Sequence, residues 1–225
     1  MDFELELDAG DDELDATRVL EALQQAQSFQ RAEKEERRID KALDRARAGL
    51  GEALGTNVNL EARTVYVFGP IDDEVAYKLF IALDQLDRLG AGDITVVLNS
   101  PGGEVHNGFA MYDRIKQSPS KVTVIGYGAV QSAAATILQA GDSRLLAPNA
   151  RLMVHQPSIG GIHDISQGEI HALKAEMDAI AEMNIKLLKG RFTGTLKELR
   201  DIVDKETFMN PRQAVKLGLA DGVLK

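Results

Sequence analysis

The chain has 225 residues, 44% of them hydrophobic and 27% charged, with a formal net charge of −9. That is enough chain for one packed domain and an appendage. Without cysteine it has neither a disulfide framework nor thiol chemistry, no apolar run approaches a membrane span, and the acidic balance argues against nucleic acid as a partner.

The charge is uneven. Residues 1–57 hold 15 acids and 8 bases, and the first 17 residues hold eight acids and no base, which predicts a loosely held acidic arm. The arm has no apolar signal core, so a soluble, cytoplasmic protein is expected. From Ala16 to Leu54, apolar residues such as Leu20, Leu23, Ile39 and Leu43 recur at helical spacing among i,i+4 pairs of opposite charge, predicting a solvated helix or helical hairpin. The expected division is an acidic, partly helical or disordered extension over 1–57 and a domain over 58–225, joined at a linker, Gly55–Asn59.

The domain alternates strands with helices. Thr64–Phe68 reads as a strand, Gly69-Pro70-Ile71 as a turn, and Asp72–Leu89 as an amphipathic helix capped by Asp72 or Asp73 and ended by Gly90. Strand Ile94–Leu98 runs into Asn99-Ser100-Pro101-Gly102-Gly103, and helix Val105–Gln117 follows. Strand Val122–Ile125 ends in a turn at Gly126 and Gly128, a small-residue helix starts near Ser132, and strand Arg151–Val154 stops before Pro157. A glycine-rich stretch, Ser158–Ile162, precedes a long helix from Ile165 to Gly190. Its apolar residues, among them Ile170, Met177, Ile180, Met183 and Ile185, exceed one face of a lone surface helix. Helices over Leu196–Val203 and Phe208–Leu217 and a closing strand over Gly218–Leu224 complete the chain. Such alternation implies right-handed crossovers and a largely parallel sheet.

Candidate chemistry lies in two places. A serine at a helix start, Ser132, and a histidine at a strand end, His155, are 23 residues apart, a spacing that one α/β unit folds into contact. Serine needs an adjacent base to become a nucleophile, and a helix start offers N–H groups to a developing oxyanion. Gly102 and Gly103 allow the backbone to turn and present an N–H to a ligand, while the missing Gly-Lys-Ser/Thr ending excludes a nucleotide phosphate loop. His106, His163 and His171 lack metal-site spacing, so no metal and no organic cofactor is expected.

Four motifs in order, NSPGG, G-x-x-x-S-A-A-A-x-x-L-x-A-G, LMVHQP and F-M-x-x-x-x-A-V-x-L-G-L-A-D, resemble the proteolytic subunit of Clp proteases from about Asn59 to Leu224. The resemblance implies the ClpP/crotonase-like α/β fold of repeated ββα units, with a projecting strand-helix handle beside the N-terminal extension. It implies a serine endopeptidase acting on peptide or unfolded protein inside a self-assembled heptameric or double-heptameric ring. Ser132 is then the nucleophile, His155 the base, and the N–H groups of Gly103 and Ala133 the oxyanion hole. The family's acid position, two before Phe208, is Glu206, with Asp204 the neighbouring alternative.

Three features depart from the family's pattern. Thr95 and Val97 stand where aromatic residues usually form the docking pocket for an AAA+ unfoldase, Ala133 where methionine is frequent, and residues 1–57 have no counterpart. They resemble divergent members, including phage-encoded proteases that process capsid proteins without an ATPase. A non-catalytic ring subunit and a crotonase-type acyl-CoA enzyme are the rival readings. Deleting residues 1–57 is expected to leave cooperative thermal unfolding of the remainder intact; a remainder that does not fold would place the arm in the core.

Overall fold

The computed structural model describes residues 27, 29–41, 57–158 and 166–225. The chain divides into two compact units, Met1–Leu50 and Gly51–Lys225. In the first, residues 29–41 form helix α1 with every described side chain exposed, and Arg37 pairs with Glu33 one turn earlier. The acidic arm, most of the expected linker and His163 lie outside the described residues.

The second unit is built on a mixed sheet of eight strands: β1 (Val58–Asn59), β2 (Thr64–Phe68), β3 (Ile94–Ser100), β4 (Val122–Gln131), β5 (Ser143–Leu146), β6 (Arg151–Val154), β7 (Thr207–Met209) and β8 (Gly222–Val223). The order is β1-β2-β3-β4-β5-β8, parallel from β2 to β8, and β6 and β7 branch from β4. Among the described residues, only β1–β2 and β6–β7 are antiparallel. The helices are α2 (Asp73–Arg88), α3 (Val105–Lys116), α4 (Ala133–Leu138), α5 (Gln167–Lys189), α6 (Leu196–Asp204) and α7 (Pro211–Lys216).

Local chemistry sets several boundaries where the sequence predicts them. Asp72 accepts the Val75 N–H at 2.9 Å and caps α2, and Gly90, at φ +101°, turns the chain away from its end. Along β3 burial alternates, with Ile94, Val96 and Leu98 in the core. Leu79, Leu83 and Leu86 of α2 are essentially inaccessible, each burial contributing about 1.5–3 kcal/mol.

Four expectations change. Val58–Asn59 is no linker, because it pairs with β2. Strand β4 does not stop at Ile125 but runs on through both glycines to Gln131. It is held past Gly126 by a second partner: Ala129, Val130 and Gln131 pair with Arg151, Leu152 and Met153. Phe208 opens no helix, since the segment around it alternates burial and pairs with β6, and α7 begins at Pro211. The closing strand shrinks to Gly222–Val223, and the sequence reading missed β5.

The open edge of the sheet is tied down by Arg144, whose side chain is 2% exposed. It pairs with Asp221 through Nη2 and Nε and bonds Gln139 at the end of α4, while Arg191 reaches the same Asp221 carboxylate at 3.1 Å. Burial pushes the Asp221 carboxyl up, but hydrogen bonds and charge from Arg144, with the charge of Arg191, outweigh it and hold the group below its ordinary 3.8. A carboxyl lowered on folding stabilises the protein above its unfolded value, and that stability is lost as pH falls through the folded one. Asp221→Asn is therefore expected to lower stability at neutral pH by about 1–3 kcal/mol, less than for a fully buried pair because this carboxylate is partly solvated. Urea titrations between pH 7 and 3 should show the gap from the parent closing below about pH 4.

Candidate active site

Ser132 stands where β4 hands over to α4. Its amide donates to the Met153 carbonyl at 2.9 Å, adding one more rung to the β4–β6 ladder. Its backbone, at φ +54° and ψ −123°, lies where side chains other than glycine are strained. The reversal ends the strand and lets the chain enter the helix immediately, leaving the hydroxyl at the mouth of a cleft of about 800 Å³.

Strand β6 supplies the second group. His155 follows Val154, the strand's last residue, on the same pleat face as Met153, and its Nε2 lies 2.7 Å from Ser132 Oγ. The rung that fixes Ser132 and the side chain that meets its hydroxyl thus come from one short strand.

The glycine turn approaches from the third side. Ile71 bridges Gly103 in parallel: its amide donates to the Gly102 carbonyl at 2.9 Å, and its carbonyl accepts from Glu104 at 2.8 Å. Peptide directions alternate along an extended chain, so the N–H of Gly103 faces away from Ile71, and Gly103 lines the cleft. No acceptor within the described residues takes that N–H or the N–H of Ala133 in the first turn of α4. A Cβ on Gly103 would sit 2.2 Å from the Ile71 carbonyl oxygen.

The sequence-predicted residues Ser132, His155, Gly103 and Ala133 therefore line one cleft. The two acids do not join them by hydrogen bonds. Glu206 is exposed, with φ +48°, and continuing the β6–β7 register one step past Val154 and Thr207 sets it opposite His155. Asp204, also exposed, accepts from Gln156 Nε2 at 2.7 Å, bracing the residue after the histidine. Sequence reasoning missed Gln156, and it also missed Thr136 and Asn184, which meet at 2.7 Å in the cleft. A polar Asn184 in the apolar series Met177, Ile180, Asn184 was the available signal.

The family model for Clp protease matches residues 54–225. The chain belongs to the Clp protease family. It is 35% identical over 167 residues to the ATP-dependent Clp protease proteolytic subunit of Carsonella ruddii, covering 73% of this chain and 85% of that one. Over 175 residues it is 33% identical to proteolytic subunit 3 of Rhizobium etli, covering 75% and 88% of the two chains. The solved structure of a ClpP1 point mutant from Listeria monocytogenes superposes with a TM-score of 0.68 at 28% identity, covering 78% of this chain and 96% of that one. The fold is the α/β fold of this family, as the motifs imply, and the family's kind is a protease.

Gly102 tests how tightly the Clp-type turn packs on the serine. At φ +93° a Cβ would lie 2.6 Å from Ser132 Cβ and 2.7 Å from the Gln131 carbonyl oxygen. Gly102→Ala is expected to cost about 2–3 kcal/mol in denaturant unfolding, from strain and crowding together.

Proposed function

We propose that the chain is a serine endopeptidase that cuts peptide or unfolded protein substrates. The observation that carries this is the 2.7 Å approach of His155 Nε2 to the hydroxyl of a serine held in a left-handed elbow. His155 takes the Ser132 proton as Oγ attacks the scissile carbonyl, then gives it to the leaving amine; it next deprotonates the water that hydrolyses the acyl-enzyme. The N–H groups of Gly103 and Ala133, two residues that line the cleft, hold the oxyanion. Glu206 is the acid that orients and compensates the imidazolium, supported by its place opposite His155 in the strand register, with Asp204 as the alternative.

Assembly into a heptameric or double-heptameric ring is supported by α5. Its buried residues, Ile180, Ile185 and Leu188, fall in its C-terminal part, whereas Ile170 is 51% exposed and Leu173 and Met177 are only half-covered. Apolar residues left on a projecting helix fit the face of a second subunit.

An AAA+ unfoldase partner is supported by the outer face of the sheet. Tyr66, Val97, Ile125 and Leu145 stand in one cross-strand row, and Phe68 stacks on Tyr66 with ring centroids 6.2 Å apart. The aromatic rings expected on β3 thus have neighbours on β2 in their place, which offsets the loss at Thr95 and Val97. A cytoplasmic location fits this assignment, and no described helix is long and apolar enough to cross a membrane.

The test is intact mass after fluorophosphonate treatment. A single adduct is expected, absent from Ser132→Ala, with His155→Ala lowering kcat by at least about 10³-fold. No adduct in an oligomeric sample would replace this reading with a non-catalytic ring subunit. Glu206→Gln is expected to lower kcat by about 10²-fold or more and Asp204→Asn by much less; the reverse order would move the acid's role to Asp204.

A further inference from the structure

The inference rests on the peptidase reading and concerns the side chain that the cleft receives next to the scissile bond. Ala133 and Thr136 stand one helical turn apart on α4 and both line the cleft, so the wall behind Ser132 is made of small side chains. Thr136 is 3% exposed, and its hydroxyl donates to Asn184 Oδ1 at 2.7 Å. Met177 and Ile180, preceding Asn184 on α5, make the adjoining wall apolar.

This floor is half satisfied. Asn184 Nδ2, an amide donor, has no acceptor among the described residues, and Thr136 Oγ, having donated its only proton, keeps lone pairs that accept nothing. A wholly apolar occupant would exclude water from both atoms and replace none of their hydrogen bonds. The complementary occupant has an apolar body and, at its far end, one group that accepts and donates at once.

We propose that the cleft selects tyrosine on the acyl side of the bond that Ser132 attacks. The ring packs against Met177 and Ile180 in the space that Ala133 and Thr136 leave open. The phenolic oxygen accepts from Asn184 Nδ2, and its O–H donates to Thr136 Oγ, closing a three-membered cycle of hydrogen bonds. Phenylalanine has the same body and leaves both atoms unpaired. Leucine ends short of the floor, which lies about 6 Å along the helix axis, four residues beyond Ser132.

The test uses the full chain in its assembled form and fluorogenic peptides that differ only in tyrosine, phenylalanine or leucine at that position. The tyrosine peptide is expected to exceed the phenylalanine peptide about tenfold in kcat/KM. Thr136→Val and Asn184→Leu, each removing one partner, are expected to bring that ratio close to one. Fluorophosphonate labelling of Ser132 in the same samples separates the two levels of the argument. With Ser132 labelled, equal or faster cleavage after phenylalanine, or a ratio that neither substitution moves, overturns the tyrosine assignment and leaves the peptidase reading standing. Absence of labelling in the parent overturns both.

Discussion

The change of partner along β4 is the constraint on which the site depends. Up to Gly126 the strand lies between β3 and β5; from Ala129 onward it pairs with β6 instead. The switch needs room. A Cβ on Gly126 would lie 2.5 Å from the Val130 side chain and 2.7 Å from that of Leu146. The register against β3 slips between Leu98 and Ser100, Gly128 takes φ +50°, and Asn99 Oδ1 accepts the Ala129 N–H at 3.0 Å to close the gap. If β4 ended at its first glycine, as its composition suggests, Ser132 would not be a rung of the β6 ladder and His155 would have no reason to meet it.

That same branch explains why the acids are less firmly placed than the serine and histidine. Ser132 is fixed by a backbone hydrogen bond and the packing of α4, whose residues are all buried. Glu206 belongs to the rim, beside a three-residue strand, where it takes a left-handed turn and reaches into solvent. Asp204 holds Gln156 rather than the imidazole. Ser132 and His155 are built into the sheet, so the fold sets their mutual geometry, whereas both acids stand on its exposed rim.

Two surfaces of the domain leave apolar residues uncovered. The inner face of the sheet is closed by α2, α3 and α4, but the outer face keeps a row from Tyr66 to Leu145 because strand alternation forces every second residue outward. Helix α5 seats its C-terminal part on the core, and a Ser166–Glu169 capping box stabilises its start. The ion pair between Arg200 and Glu182, at 2.7 Å through both guanidinium nitrogens, ties α6 to the part of α5 that is seated.

Much of this was legible without coordinates. Asp72 and Gly90 each act on the backbone within one turn, so the ends of α2 follow from the residues themselves. Period-two burial in β3 and the serine and histidine spacing are likewise local, and the four motifs carried the family. What the sequence by itself determined is the parallel α/β class, the candidate serine, base and glycine turn, and the long helix with too much apolar surface. Tertiary structure alone decided that β4 runs through its glycines, that Phe208 lies in a strand, that Asp204 engages Gln156, and that Thr136 meets Asn184. Each depends on a partner far away in the chain, and the spacing of a segment does not say which partner it meets: a glycine that ends a strand in isolation continues it when a second strand waits beyond.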